Sequence, residues 1–86
     1  MNRKLILQND DGQRFSCVLD PQQSEEEQLL EVFAIHKGYG FTVEIWEDRV
    51  RIVDYFHGET RANFTVLART ASEEPVCLQL QKLTDQ

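Results

Sequence analysis

The sequence predicts an α+β fold: an antiparallel sheet of four to six strands with one helix packed on one face. Three observations predict it. Ser24 to Gly38 holds one helix signature with its start and stop signals. Alternating apolar and polar residues on both sides of it have the period of half-buried strands. Gly, Asp and Pro clusters punctuate those segments at hairpin spacing.

Leu5 and Leu7 alternate with Lys4, Ile6 and Gln8, and Phe15, Cys17 and Leu19 alternate with Arg14, Ser16 and Val18. Between them, a three-residue loop Asp10-Asp11-Gly12 would place Gly12 in the left-handed conformation, which glycine adopts without steric cost. That register sets Leu7 opposite Phe15 and Leu5 opposite Cys17.

Asp20-Pro21-Gln22-Gln23 leads into the helix. Ser24 and Glu27 have capping-box spacing, and Glu25, Glu26 and Glu27 lie at the positive end of the helix dipole. Leu29, Leu30, Val32, Phe33 and His36 share a helical face that should lie on the sheet, which makes His36 a buried, hydrogen-bonded histidine. Gly38 is the expected left-handed stop.

Phe41, Val43 and Ile45 then alternate with Thr42, Glu44 and Trp46, and Val50, Ile52 and Phe56 follow a turn at Glu47-Asp48 on the apolar face, with Asp54 among them near the core's edge. Pairing Trp46 with Arg49 sets Ile45 opposite Val50, Val43 opposite Ile52, and Glu44 opposite Arg51 on the other face. Arg49 can then lie on the Trp46 ring. A four-residue loop would keep the same register. His57 to Thr60 reads as a turn. Residues 61–70 fit a strand through Phe64, Val66 and Ala68, or a helix through Phe64, Leu67, Ala68 and Ala71; their Thr, Val and Phe content favours a strand. Ser72 to Pro75 is a turn, and Val76, Leu78 and Leu80 alternate as a last strand. No repeat or linker divides residues 1–86, so one domain is expected.

Fifteen acidic and nine basic residues give a net charge of −6. This disfavours broad contact with nucleic acid phosphates and with anionic membranes. The apolar run after Arg3-Lys4 ends at three residues, short of the about 7–15 of a secretory core, and nothing approaches the roughly 18 of a membrane span. A cytoplasmic location is expected, with Cys17 and Cys77 reduced and buried.

Lys37-Gly38-Tyr39-Gly40-Phe41 resembles the start of the RNA recognition motif octapeptide and the first RNA-binding stretch of cold-shock domains. Leu5 to Asn9 resembles the partner hexapeptide of the former. The resemblance implies bases stacked on Tyr39 and Phe41 beside Lys37. The chain departs from that pattern at Ile6 and Glu44, which stand where stacking aromatics belong, and in the second strand that precedes the helix.

Cys17, His36, His57 and Cys77 lack the close spacing of a structural zinc site, so neither a metal nor another cofactor is expected. Asp54, Tyr55, His57 and Glu59 form the densest polar cluster, but no nucleophile motif accompanies them, and no enzymatic activity is expected. The sheet face opposite the helix carries Glu44, Trp46, Arg49, Arg51, Val53 and Tyr55, to which Ile6 and Val18 would add. Trp, Tyr and Arg dominate binding hot spots. The expected function is therefore non-catalytic protein binding, to a second copy or to another protein, with Trp46 and Tyr55 as anchors and the arginines pairing with partner carboxylates. Single-stranded nucleic acid binding through Lys37, Tyr39 and Phe41 is the alternative. Size and acidity are similar to those of bacterial and phage inhibitors and accessory factors. Glu25–Glu27, Glu44, Glu47 and Asp48 could present carboxylates to a basic groove.

Overall fold

A computed structural model describes residues 1–36 and 38–84. The elements run β1 (Asn2–Asn9), β2 (Arg14–Leu19), α1 (Glu25–Val32), β3 (Phe41–Ile45), β4 (Arg49–Asp54), β5 (Glu59–Ser72) and β6 (Cys77–Leu83). The six strands form one antiparallel sheet in the order β3-β4-β5-β1-β2-β6.

The first hairpin follows its apolar pattern. Leu5 pairs with Cys17 and Leu7 with Phe15. Asn9 closes the loop by donating to the Gln13 carbonyl at 3.0 Å, and its side-chain oxygen accepts from the Asp11 and Gln13 amides. Gly12 sits at φ +83°, as a three-residue loop requires.

The second hairpin pairs Ile45 with Val50, Glu44 with Arg51 and Val43 with Ile52. Its Glu47-Asp48 turn is closed by Trp46 N donating to Arg49 O at 2.8 Å.

Leu5, Leu7, Cys17, Leu29 and Val50 are fully buried and form one cluster with Leu30, Val32, Val43 and Phe64. Each large apolar side chain so buried contributes about 1.5–3 kcal/mol. The helix touches both edge strands, β3 and β6, as well as β2. In a flat sheet six strands about 4.8 Å apart would separate those edges by roughly 24 Å, more than twice the about 10 Å width of a helix. The sheet is therefore curled, which brings both edge strands within reach of α1.

Buried Gln28 ties the helix to the end of β2. Its Nε2 donates to Asp20 O at 2.8 Å, and its Oε1 accepts from Asp20 N at 2.7 Å. Arg69 of β5 ties the start of α1 to the second hairpin. It pairs with Glu25 and donates to the carbonyls of Trp46 at 2.9 Å and Glu47 at 3.4 Å.

Four expectations need correction. The helix ends at Val32 rather than near Gly38. Ala34 takes the left-handed position at φ +56°, donating to Glu31 O at 2.9 Å while Ile35 donates to Leu30 O at 2.7 Å. This is a Schellman cap that turns Ile35 back onto the core. His36 consequently lies beyond the helix and is exposed rather than buried. Cys77 is only half-buried, whereas Cys17 is buried, and burial pushes its thiol up to about 12. Val18, expected on the accessible face, is covered to 4% exposure beside its partners Lys4 and Cys77.

Residues 61–70 lie in β5, a strand of 14 residues. Its pairing slips twice, between Ile52 and Val53 of β4 and between Ile6 and Leu7 of β1. The slip against β1 skips Leu67 and so breaks the period-2 pattern between Phe64 and Ala71, where a helical reading fits as well.

Candidate interaction surface

The β3–β4 ribbon displays a cluster at each end. At the turn end, Trp46 is 39% exposed. The guanidinium carbons of Arg49 and Arg51 lie 4.9 and 4.6 Å from its ring centroid. Arg51 also holds Glu44 at 2.8 Å. Strand alternation put these four residues on one face, and the structure brings them into contact. Arg51 is engaged within the chain on both sides, by Trp46 and by Glu44. Arg49, which is exposed, has no partner carboxylate among the described ion pairs. Val53 lies further along the ribbon, opposite Thr42.

Tyr55 belongs to the other end. The ladder runs from Trp46 and Arg49 to Gly40 and Tyr55, where Tyr55 N donates to Gly40 O at 3.0 Å. Six residues of strand separate the two ends by roughly 20 Å. Trp46 and Tyr55 therefore anchor two different points. What Tyr55 joins instead is a group of aromatic residues. Its ring centroid lies 5.3 Å from that of Phe56, and Phe56 rests against Gly40, between Tyr39 and Phe41. At φ +84°, with the Phe56 ring where a Cβ would stand, position 40 accepts only glycine without rearrangement. Tyr39 and Phe56 are each 73% exposed and Tyr55 55%.

Asp54 shapes this corner. It is buried, and its Oδ1 accepts the amides of Phe56 and His57 at 3.1 and 3.3 Å. Its Oδ2 lies 2.8 Å from His57 Nδ1 and 3.1 Å from an Arg61 guanidinium nitrogen. The His57 hydrogen bond, followed by that of Arg61, holds the Asp54 carboxyl down at about 2. The densest polar cluster of the sequence is thus a turn built on one carboxylate, and that turn presents Tyr55 and Phe56.

Beside the corner, where the end of α1 meets β3, lies an apolar groove of about 430 Å³. Phe33, Ala34, Ile35, His36, Tyr39, Phe41 and Ile52 line it. A smaller hollow of about 260 Å³ at the helix start is lined by Arg3, Asp20, Glu25 and Gln28 among others, and its Gln28 is already hydrogen-bonded at both side-chain atoms.

Of the residues suggested by the nucleic-acid resemblance, Tyr39 is exposed with its ring 6.1 Å from that of His36. Phe41 is half-buried and lines the groove rather than standing free on the sheet. Lys37 lies outside the described residues.

The sequence places Phe56 on the core face with Val50 and Ile52, whereas the structure leaves it 73% exposed in the turn after β4; the groove formed by Phe33, Ile35 and Ile52 has no counterpart in the sequence reading. Extending the β3–β4 register by one pair would have set Gly40 beside Tyr55. Nothing in the sequence indicates that the helix terminus closes over the same place. Among the described residues, no group of three or more His, Cys, Asp or Glu side chains is disposed to hold a metal ion, and no helix is long and apolar enough to cross a membrane. Compared with known protein families, curated proteins and solved structures, the chain matches none.

Proposed function

We propose that this chain is a non-catalytic protein-binding module, an inhibitor or accessory factor, whose contact surface is the β3–β4 ribbon and its flanks. One observation carries the reading. The four aromatic residues that are exposed, Tyr39, Trp46, Tyr55 and Phe56, all lie on this ribbon or within two residues of it. The other four, Phe15, Phe33, Phe41 and Phe64, are buried or half-buried. Exposed aromatics gathered on one element are typical of interaction sites, where Trp, Tyr and Arg supply most of the binding energy. The Tyr39–Tyr55–Phe56 corner supplies apolar anchors. The Trp46 end supplies a flat cationic surface suited to carboxylates or backbone carbonyls of a partner.

The test is capture by the immobilised chain from an extract of the source cell. Wild type should retain a protein that a Tyr55→Ala, Phe56→Ala variant loses, by at least about 30-fold if these are hot-spot residues. Equal retention by both, or none by wild type, would overturn the reading. A single-stranded oligonucleotide bound by wild type and lost on Tyr39→Ala would support the nucleic-acid alternative instead.

A further inference from the structure

We infer that the aromatic corner is an interface between two copies of this chain, in which Phe56 of each copy enters the apolar groove of the other. This rests on the protein-binding reading and names its partner.

The chain carries both halves of a complementary contact side by side. Phe56 projects as a knob, 73% exposed, and rests on Gly40. The flanking residues Tyr39 and Phe41 both line the groove. A two-fold rotation places a knob over a groove twice, which is the condition for a closed, isologous dimer. An unrelated partner would need only one of the two halves.

Charge restricts where a second copy can dock. A second copy brings the same net charge of −6 and meets repulsion wherever carboxylates face it. Glu26, Glu47 and Asp48 are exposed at the helix start and the β3–β4 turn, the far end of β3, while Glu27 and Glu31 line an adjoining hollow that shares Ala34, Ile35 and His36 with the groove. Among the described residues, the lining of the groove itself contains no Asp or Glu. Asp54, beneath the corner, is buried and held by Arg61 and His57.

Area sets the strength. With about 200 Å² per aromatic side chain, the exposed fractions of Tyr39, Tyr55 and Phe56 present roughly 400 Å². That is about half of the roughly 800 Å² each partner gives to a standard interface. The groove lining adds to it. The dimer is therefore reversible and concentration-dependent.

Light scattering across a dilution from about 1 mM to about 1 μM tests this. Wild type should approach twice 10.1 kDa at the concentrated end and fall toward 10.1 kDa on dilution. Phe56→Ala removes the knob and Tyr39→Asp puts a carboxylate on the groove rim. Both side chains are exposed, so both variants should keep the wild-type circular dichroism and stay at 10.1 kDa throughout. A wild type that is monomeric at every concentration overturns the inference, as does a dimer that survives both substitutions. If wild type is monomeric but the captured partner still depends on Tyr55 and Phe56, the second copy is excluded and the protein-binding reading stands. If neither depends on the corner, both fall.

Discussion

Asp54 Oδ2 lies 2.8 Å from His57 Nδ1, while the other oxygen of the same carboxylate accepts the Phe56 and His57 amides. One buried side chain therefore fixes the course of the backbone and the orientation of a ring three residues on.

The pH dependence follows from the sign of the Asp54 shift. Its folded pKa, about 2, is depressed below the ordinary value of 3.8. Its stabilisation is therefore present above pH 3.8 and lost as pH falls toward 2. Glu74, lowered by Lys4 and by the Ser72 hydroxyl, acts in the same direction. Melting temperatures of wild type and Asp54→Asn should differ most above pH 4 and converge toward pH 2. A difference independent of pH would contradict this origin.

Gly40 combines a left-handed φ with contact against the Phe56 ring. Gly40→Ala should destabilise by about 1–2 kcal/mol from backbone strain, plus the cost of displacing that ring. In Gly40→Ala, Phe56→Ala the steric part should disappear and the backbone part remain. Urea unfolding of the four proteins of this cycle separates the two.

Ala34 occupies, at φ +56°, the position in a Schellman cap where glycine is usual. Ala34→Gly should stabilise by about 0.5–1 kcal/mol, with the relieved strain exceeding the added entropy of the unfolded chain. At roughly 4–8 °C per kcal/mol the gain is visible in a thermal melt. An unchanged or lower melting temperature would mean that the cap is unstrained.

Arg69 joins three elements. Arg69→Gln should cost about 1–3 kcal/mol, since it removes the pair with Glu25 and the bonds to two turn carbonyls. One of those carbonyls belongs to Trp46, the single tryptophan, whose emission should shift in the native state. A loss of stability with native Trp46 emission unchanged would place the effect at the helix alone.

The first hairpin register was legible because apolar alternation and turn chemistry agreed on it independently, and the second because its pairing agreed across both faces of the ribbon, although Glu47-Asp48 is not an ideal two-residue turn. Leu5 opposite Cys17 follows from either criterion, and Glu44 opposite Arg51 from the charge pair that the apolar register creates on the other face. The helix terminus was not legible, because Ala34 stands where the rules look for glycine and Gly38 comes four residues later. The character of β5 was obscured by its bulge against β1. At the site, alternation assigns Trp46 and Tyr55 to one strand face but carries no information on separation along the strand. The groove unites the connection that follows α1 with β3 and β4, and no local pattern encodes that meeting.

The contact of α1 with both edge strands, β3 and β6, bears on how far the sheet edges are open to further pairing. Unpaired strand edges recruit further strands, and unprotected ones grow into cross-β assemblies. Here a helix of eight residues flanks both edges, held by Gln28 at Asp20 and by Arg69 at Glu25. Release of that helix would uncover two templates at once while the rest of the sheet stayed paired. The latch residues Gln28 and Arg69 are therefore expected to govern shelf life and fibril formation more strongly than their effect on global unfolding would suggest.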